Sequence, residues 1–142
     1  MGQVSLDDIL VTPMNRIPTP GGDVLHAMKR GERGYIRFGE AYFSIIQPGA
    51  IKAWKRHMRL TMNLVVPVGS VRFVFHVSGN DGAFRVEEIG ENRYVRLTVP
   101  NEIWHGFQGI AEVDSLIMNL ADITHDPTEV ERCDKSAISF SW

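Results

Sequence analysis

Cys133 is the only cysteine in 142 residues, so the chain can build neither an intramolecular disulfide framework nor a cysteine-based zinc site. No apolar run approaches membrane-spanning length. The opening MGQVSLDDILVTP has two aspartates where a signal peptide needs an apolar core, so the expected location is the cytoplasm. Met1-Gly2 loosely resembles a myristoylation signal, but position 6 is Leu rather than Ser or Thr. A large charge of one sign is also missing. The net charge of −2 gives no reason to expect nucleic acid or a membrane surface as partner, and any basic patch must be local. Internal repeats, low-complexity tracts and linkers are absent too.

Helical signals are almost absent. Pro13, Pro18 and Pro20, followed by Gly21-Gly22, forbid a regular helix near the start. The one expected helical piece is a turn or two around Thr128–Arg132, with Asp126 as N-cap and Pro127 as first helical residue. Strand signals fill the rest. Tyr35–Phe38 and Ala41–Gln47 have the aromatic and β-branched composition of strands, and Val24–Lys29, Phe84–Ile89, Tyr94–Val99 and Ser115–Leu120 are further strand candidates. In Val71–Val77 the apolar Val71, Phe73, Phe75 and Val77 alternate with Arg72 and His76, the period of a half-buried strand. Gly31–Gly34, Pro48-Gly49 and Ser78–Gly82 read as turns. Many short strands with Gly/Pro turns predict an all-β sandwich or barrel. The length fits one domain, residues 1–142, with residues 1–23 as an N-terminal arm or edge strand.

The most informative stretch is Gly49–Gly69, GAIKAWKRHMRLTMNLVVPVG. Two strand-like runs, Ile51–His57 and Met62–Val66, lie between its glycines. Lys52, Lys55, Arg56, Arg59 and His57 crowd into eight residues. This is either a solvated edge that discourages aggregation or the lining of an anion site. Thr61 and Asn63 share one parity and Met62 and Leu64 the other; the expectation is that Thr61 and Asn63 face inward. Arg72 and His76 share a face that is either solvent or pocket. Trp104 is either core or a platform on which a sugar stacks.

The glycine spacing carries a resemblance. Position 55, His57, position 62 and Gly69 follow Gly49 in the register of the first cupin motif, G-x5-H-x-H-x(3–4)-E-x6-G. Pro100-Asn-Glu-Ile-Trp-His105 keeps the register of the second, P-x-G-x-x-H, with Glu102 for Gly. The residue types differ at the metal ligands: Lys55 replaces a histidine and Met62 a glutamate. An ammonium offers no lone pair and a thioether is a poor ligand for iron, manganese or zinc, so no bound metal and no cofactor are expected. The alternative is a different ligand set completed by Glu102 or His76.

Beyond the motifs, the chain resembles metal-free cupins of sugar-nucleotide metabolism, the short relatives of dTDP-4-dehydrorhamnose 3,5-epimerase, and more distantly the 3,4-ketoisomerases. The matching stretches are Gly39–Ser44, Pro48–Trp54, His57–Asn63, Trp104–Gly109 and His125–Glu129 with Glu131-Arg132. The resemblance implies a single-domain jelly roll, a homodimer through an N-terminal strand, and a nucleotide-sugar ligand. It implies an epimerase or isomerase acting on a nucleotide-diphosphate-linked 4-keto-deoxysugar. Lys55 and His57 are then the candidate bases and His105 the acid or oxyanion partner. Lys52, Arg56 and Arg59 are the diphosphate contacts, and Thr61, Asn63, Arg72, His76 and Trp104 further binding residues. Family members commonly carry W-H-x-H where this chain has Trp54-Lys-Arg-His57. The true epimerases also use a late-strand tyrosine as acid, followed by a carboxylate; the corresponding Asp122–His125 contains no tyrosine. Two other readings stand beside the enzyme: a sugar-nucleotide-binding module that has lost catalysis, and a metal-dependent oxygenase.

Overall fold

A computed structural model describes residues 3–79 and 82–142. Met1-Gly2, with the myristoylation-like start, and Asn80-Asp81, in the expected Ser78–Gly82 loop, lie outside the described residues. The strands are β1 (Leu10–Pro13), β2 (Arg16–Ile17), β3 (Val24–Leu25), β4 (Glu40–Ile46), β5 (Ile51–His57), β6 (Met62–Val68), β7 (Ser70–His76), β8 (Arg85–Gly90), β9 (Val95–Val99), β10 (Trp104–Gly109), β11 (Ser115–Ala121) and β12 (Val130–Arg132). They form two five-stranded antiparallel sheets, in the orders β1-β9-β6-β11-β4 and β12-β5-β10-β7-β8, and a two-stranded ribbon, β2-β3. Nearly every neighbour in the large sheets is non-consecutive in sequence, as a jelly roll requires. Among the described residues no helix is long and apolar enough to cross a membrane.

One hydrophobic core lies between the sheets. Val71, Phe73 and Phe75 of β7 point into it, as their alternation predicts, and meet Val66, Leu97, Val99 and Ile117. Burial of such side chains stabilises by roughly 1.5–3 kcal/mol each. A second cluster lies on the outer face of the β5-β10-β7 sheet. There Trp54, Val74 and Trp104 are covered by Phe84, Ile138, Phe140 and Trp142, so the C-terminal segment straps that face. Gly106 allows the approach: a Cβ there would meet the Ala53 Cβ at 2.7 Å and the Trp142 ring at 3.1 Å. The segment between β3 and β4 is tied down by Arg96, whose fully buried guanidinium bonds Glu32 at 2.7 Å and the Ala27 carbonyl at 2.8 Å.

Several boundaries differ from the sequence reading. Tyr35–Phe38 is irregular, and the Val24–Lys29 strand shrinks to Val24–Leu25. The arm contains a strand, β1, paired with β9. Trp104–Gly109 is a central strand that composition conceals, because its two glycines serve close packing rather than propensity. The expected helical turn is a single 3-10 turn, Pro127–Glu129, capped by the Asp126 side chain, and Val130–Arg132 then pairs with β5. Two further 3-10 turns, Leu6–Asp8 and Lys135–Ala137, carried no signal that the sequence reading used.

Candidate functional site

A cavity of about 600 Å³ opens between the two sheets beside the packed core, which lends it Met62, Leu64, Phe73 and Ile117. Its walls come from both. Tyr42 and Ser44 (β4), Met62 and Leu64 (β6), and Ile117 and Asn119 (β11) line one side. Lys52, Lys55 and His57 (β5), His105 and Phe107 (β10), and Arg132 (β12) line the other.

A β-bulge builds the second wall. His105 pairs with Lys55, but its neighbour Gly106 pairs with Ala53, leaving Trp54 as the extra residue on β5. Antiparallel partners share a face, so Lys55 faces with His105 and Lys52 with Phe107. Plain alternation would have sent Lys52 and Lys55, three apart, to opposite faces. The bulge brings both cations to the cavity. Arg132, opposite Lys55 on β12, adds a third.

His57 and Glu129 form the centre of the site. His57 Nδ1 lies 2.6 Å from Glu129 Oε2, and both side chains are buried. The other carboxylate oxygen accepts the backbone N–H groups of Arg59 at 3.1 Å and Leu60 at 2.9 Å. Burial alone would raise the Glu129 pKa, but the hydrogen bonds from His57, Leu60 and Arg59 hold it below the usual carboxylate value. An ionised Glu129 accepts from Nδ1–H, which fixes the tautomer and leaves Nε2 with its lone pair. Burial presses the His57 pKa down, Glu129 partly restores it, and Lys55 and Arg132 lower it again. His57 is therefore a neutral base at neutral pH.

His105 stacks on His57 with ring centroids 5.8 Å apart and planes at 13°. Burial, with the charges of His57 and Lys55, takes its pKa to about 3, and its Nδ1 is buried without a partner among the described residues. Lys55 is half-buried. Its pKa is lowered by desolvation first, then by Arg132 and Lys52, against Glu129, which raises it.

The structure therefore gathers Lys52, Lys55, His57 and His105 from the sequence reading, and moves seven residues out of the cavity. Arg56 lies on the opposite face of β5, stacked 4.7 Å over Trp104 and bound to Glu131 at 2.7 Å. Trp104 shares that outer face, its Nε1 donating to Ser78 Oγ at 3.0 Å. Arg59 pairs with Asp126 beyond the end of β5. Arg72 bonds Glu88 and Gln108 at 2.8 and 2.9 Å, and His76 bonds the Ala83 carbonyl at 3.0 Å and packs on Phe84; both face outward from β7. Thr61 and Asn63 point away as well. The chain bends at Met58-Arg59, so alternation restarts at Met62, and Met62 and Leu64 face the cavity. Asn63 instead bonds the Gly34 carbonyl at 3.1 Å and Thr98 Oγ1 at 2.6 Å.

The sequence reading assigned no site role to Arg132 or Tyr42 of the cavity wall, or to Glu129 behind His57. Glu129 had a signal, since the resemblance implies a carboxylate in the C-terminal region. Arg132 and Tyr42 fall within stretches that carry the resemblance, but nothing in their own spacing or residue type marked them.

The residues present do not fit a resident cupin metal. Among the described residues no three His, Cys, Asp or Glu side chains converge on one point. His57 Nδ1 is occupied by Glu129, Glu102 is exposed, and His76 lies on the outer face.

No family model matches the chain. It is 30% identical over 91 residues to the probable low-salt glycan biosynthesis epimerase Agl13 of Haloferax volcanii. That match spans 61% of this chain and 58% of the relative, somewhat over half its length. Among solved structures, a dTDP sugar isomerase from Desulfovibrio desulfuricans is 33% identical, with a TM-score of 0.90, covering 96% of this chain and 91% of that one. The dTDP-4-dehydrorhamnose 3,5-epimerase of Sulfolobus tokodaii shares the fold, with a TM-score of 0.80 at 18% identity over 98% of this chain and 84% of that one. With a third of its residues matched along a nearly complete superposition, the chain belongs to the cupin family of dTDP-sugar isomerases and epimerases.

Proposed function

We propose that the protein is a metal-independent epimerase or isomerase of a nucleotide-diphosphate-linked 4-keto-deoxysugar, working by proton abstraction beside the ketone. The observation that carries the reading is the buried His57–Glu129 pair at the wall of a sugar-sized cavity. A neutral imidazole with its free nitrogen toward the cavity is the general base that enolisation needs. Lys55, opposite His105, is the group that polarises the carbonyl and stabilises the enolate oxygen. Apolar Met62 and Leu64 suit the deoxygenated edge of the sugar. Lys52 and Arg132 are the diphosphate contacts in place of Arg56 and Arg59, which carboxylates already neutralise. The ligand names of the solved relatives, dTDP sugars, support the nucleotide reading.

The role in the cell is the biosynthesis of a glycan or polysaccharide, in the cytoplasm. A homodimer through the N-terminal strand fits β1, an edge strand paired only with β9, and the exposed Phe43 and Ile45 of β4 at the opposite edge offer a second apolar surface.

The test is incubation with a dTDP-4-keto-6-deoxysugar in heavy water. Deuterium entering the carbon next to the ketone supports the enzyme. Micromolar binding without exchange identifies a binding module instead, which is the reading that Lys55 in the histidine position favours.

A further inference from the structure

Trp54 joins the cavity wall to the C-terminal strap. As the extra residue of the bulge it has no partner on β10, and the end of the chain sets its position instead. Its backbone N–H and C=O pair with Cys133, at 3.1 and 3.2 Å. Its indole Nε1 donates to the Lys135 carbonyl at 3.2 Å. Its buried ring lies 5.5 Å from that of Trp142. Past the 3-10 turn Lys135–Ala137, residues 138–142 cross the outer face with Ile138, Phe140 and Trp142 half-buried and Ser139 and Ser141 exposed. That is the alternation of a strand, yet this stretch makes no backbone hydrogen bond among the described residues. Trp142 Nε1 is buried without a partner among them too. Side-chain packing therefore seats the strap: Trp142 on Phe140 at 5.0 Å, Phe140 on Phe84 at 5.0 Å, and the Trp142 ring over Gly106.

We infer that Trp142 is a positioning residue for the ligand diphosphate: acting through Trp54 from the outer face, it holds the bulge that turns Lys52 into the cavity. This rests on the diphosphate role proposed for Lys52 and extends it to a residue that touches no ligand. A bulge keeps its place only where the unpaired residue is held. If it slips toward Ile51, Trp54 pairs with Gly106 and Ala53 with Phe107, and Lys52 loses its place opposite Phe107 on the cavity face.

The rest of the site does not depend on that placement. Lys55 lies on the other side of the bulge, opposite His105 and opposite Arg132 of β12. His57 is fixed by Glu129 and by the pairing of β12 beyond it. The strap thus governs how tightly the diphosphate is held and leaves proton abstraction alone. Its grip is also selective, because one ring on Trp54 carries it and no hydrogen bond from residues 138–142 reinforces it among the described residues.

The test is a double-mutant cycle on Lys52 and Trp142, read as the Kd for dTDP by calorimetry. Lys52→Ala and Trp142→Ala should each weaken binding about tenfold. The double variant should bind within about threefold of either single one, because both changes remove the same contact. Trp142→Phe, which keeps a ring on Trp54, should stay within about threefold of wild type. Deuterium wash-in from a saturating dTDP-4-keto-6-deoxysugar should also stay within about threefold in Trp142→Ala. Melting temperatures show which variants fold, and Trp142→Leu is read in the same cycle if Trp142→Ala does not. A lowered melting temperature with a wild-type Kd overturns the assignment and leaves the strap structural. So does weakening that multiplies to about a hundredfold in the double variant, or wash-in that falls together with binding. Wild type that binds dTDP without exchange contradicts the proposed activity alone, since the cycle is read on binding; wild type that binds no dTDP overturns both.

Discussion

Glu129 Oε2 sits 2.6 Å from His57 Nδ1 across 72 positions of sequence, and the contact exists because β12 pairs with β5. The register sets Val130 opposite His57, which delivers the preceding residue to the imidazole. Glu129→Gln keeps the size but replaces the acceptor by an NH2 group or breaks the backbone contacts. The imidazole then favours the other tautomer, with Nε2 protonated and useless as a base. The expected outcome is a fall in kcat of about 10²- to 10⁴-fold with little change in KM. Because Glu129 raises the His57 pKa against burial, the acid limb of the residual activity should move to lower pH. Activity within a few-fold of wild type would show that the pair is structural.

Lys55 is the position where this chain departs from the histidine common in its relatives. As a carbonyl-polarising cation, its removal in Lys55→Met should lower kcat by about 10²- to 10³-fold, the usual loss for one oxyanion donor. Deuterium exchange should keep a pH dependence set by His57. If Lys55 were the base, that pH dependence would disappear with it, and steady-state rates against pH distinguish the two.

Arg132 should act on binding. Arg132→Ala is expected to raise KM by about tenfold, with kcat unchanged, and the effect should shrink as salt screens the diphosphate. Arg56→Ala and Arg59→Ala should leave KM near wild type, since their guanidinium groups are committed to Glu131 and Asp126 outside the cavity. A larger KM effect at Arg59 than at Arg132 would reverse the placement of the diphosphate.

His105 makes stability pH-dependent. Its folded-state pKa is about 3, below the unfolded value of 6.5. Between these the unfolded chain binds a proton that the folded chain refuses. Its contribution is therefore whole above pH ~6.5 and is lost as pH falls toward 3, on the order of 3 kcal/mol by pH 4. Urea midpoints measured from pH 7 to pH 4 should fall, and His105→Asn should flatten part of that slope. Equal slopes in the two proteins would mean that His105 titrates normally.

The strands around the site were legible because their chemistry is local. Ile51–His57 appears in the structure with those same bounds, and the β7 alternation places Val71, Phe73 and Phe75 inside. What alternation could not carry was a face across an interruption. The bulge at Trp54 rotates Lys52 into the cavity, and the bend at Met58-Arg59 puts Met62 and Leu64 there in place of Thr61 and Asn63. Arg56, Arg59, Arg72, His76 and Trp104 looked like site residues because charge and aromaticity mark solvent faces and strapped faces as readily as pockets. Glu129 was hidden because a carboxylate after Asp-Pro reads as the first turn of an exposed helix. Only the long-range pairing of β12 buries it.

The central claim is that His57, held by Glu129, removes the proton beside the ketone. Its most direct test is deuterium exchange by His57→Asn on a dTDP-4-keto-6-deoxysugar in heavy water, with binding of the same sugar nucleotide measured by calorimetry. The expected result is binding within a few-fold of wild type and exchange reduced by at least about 10²-fold. Exchange at the wild-type rate in His57→Asn would contradict the account.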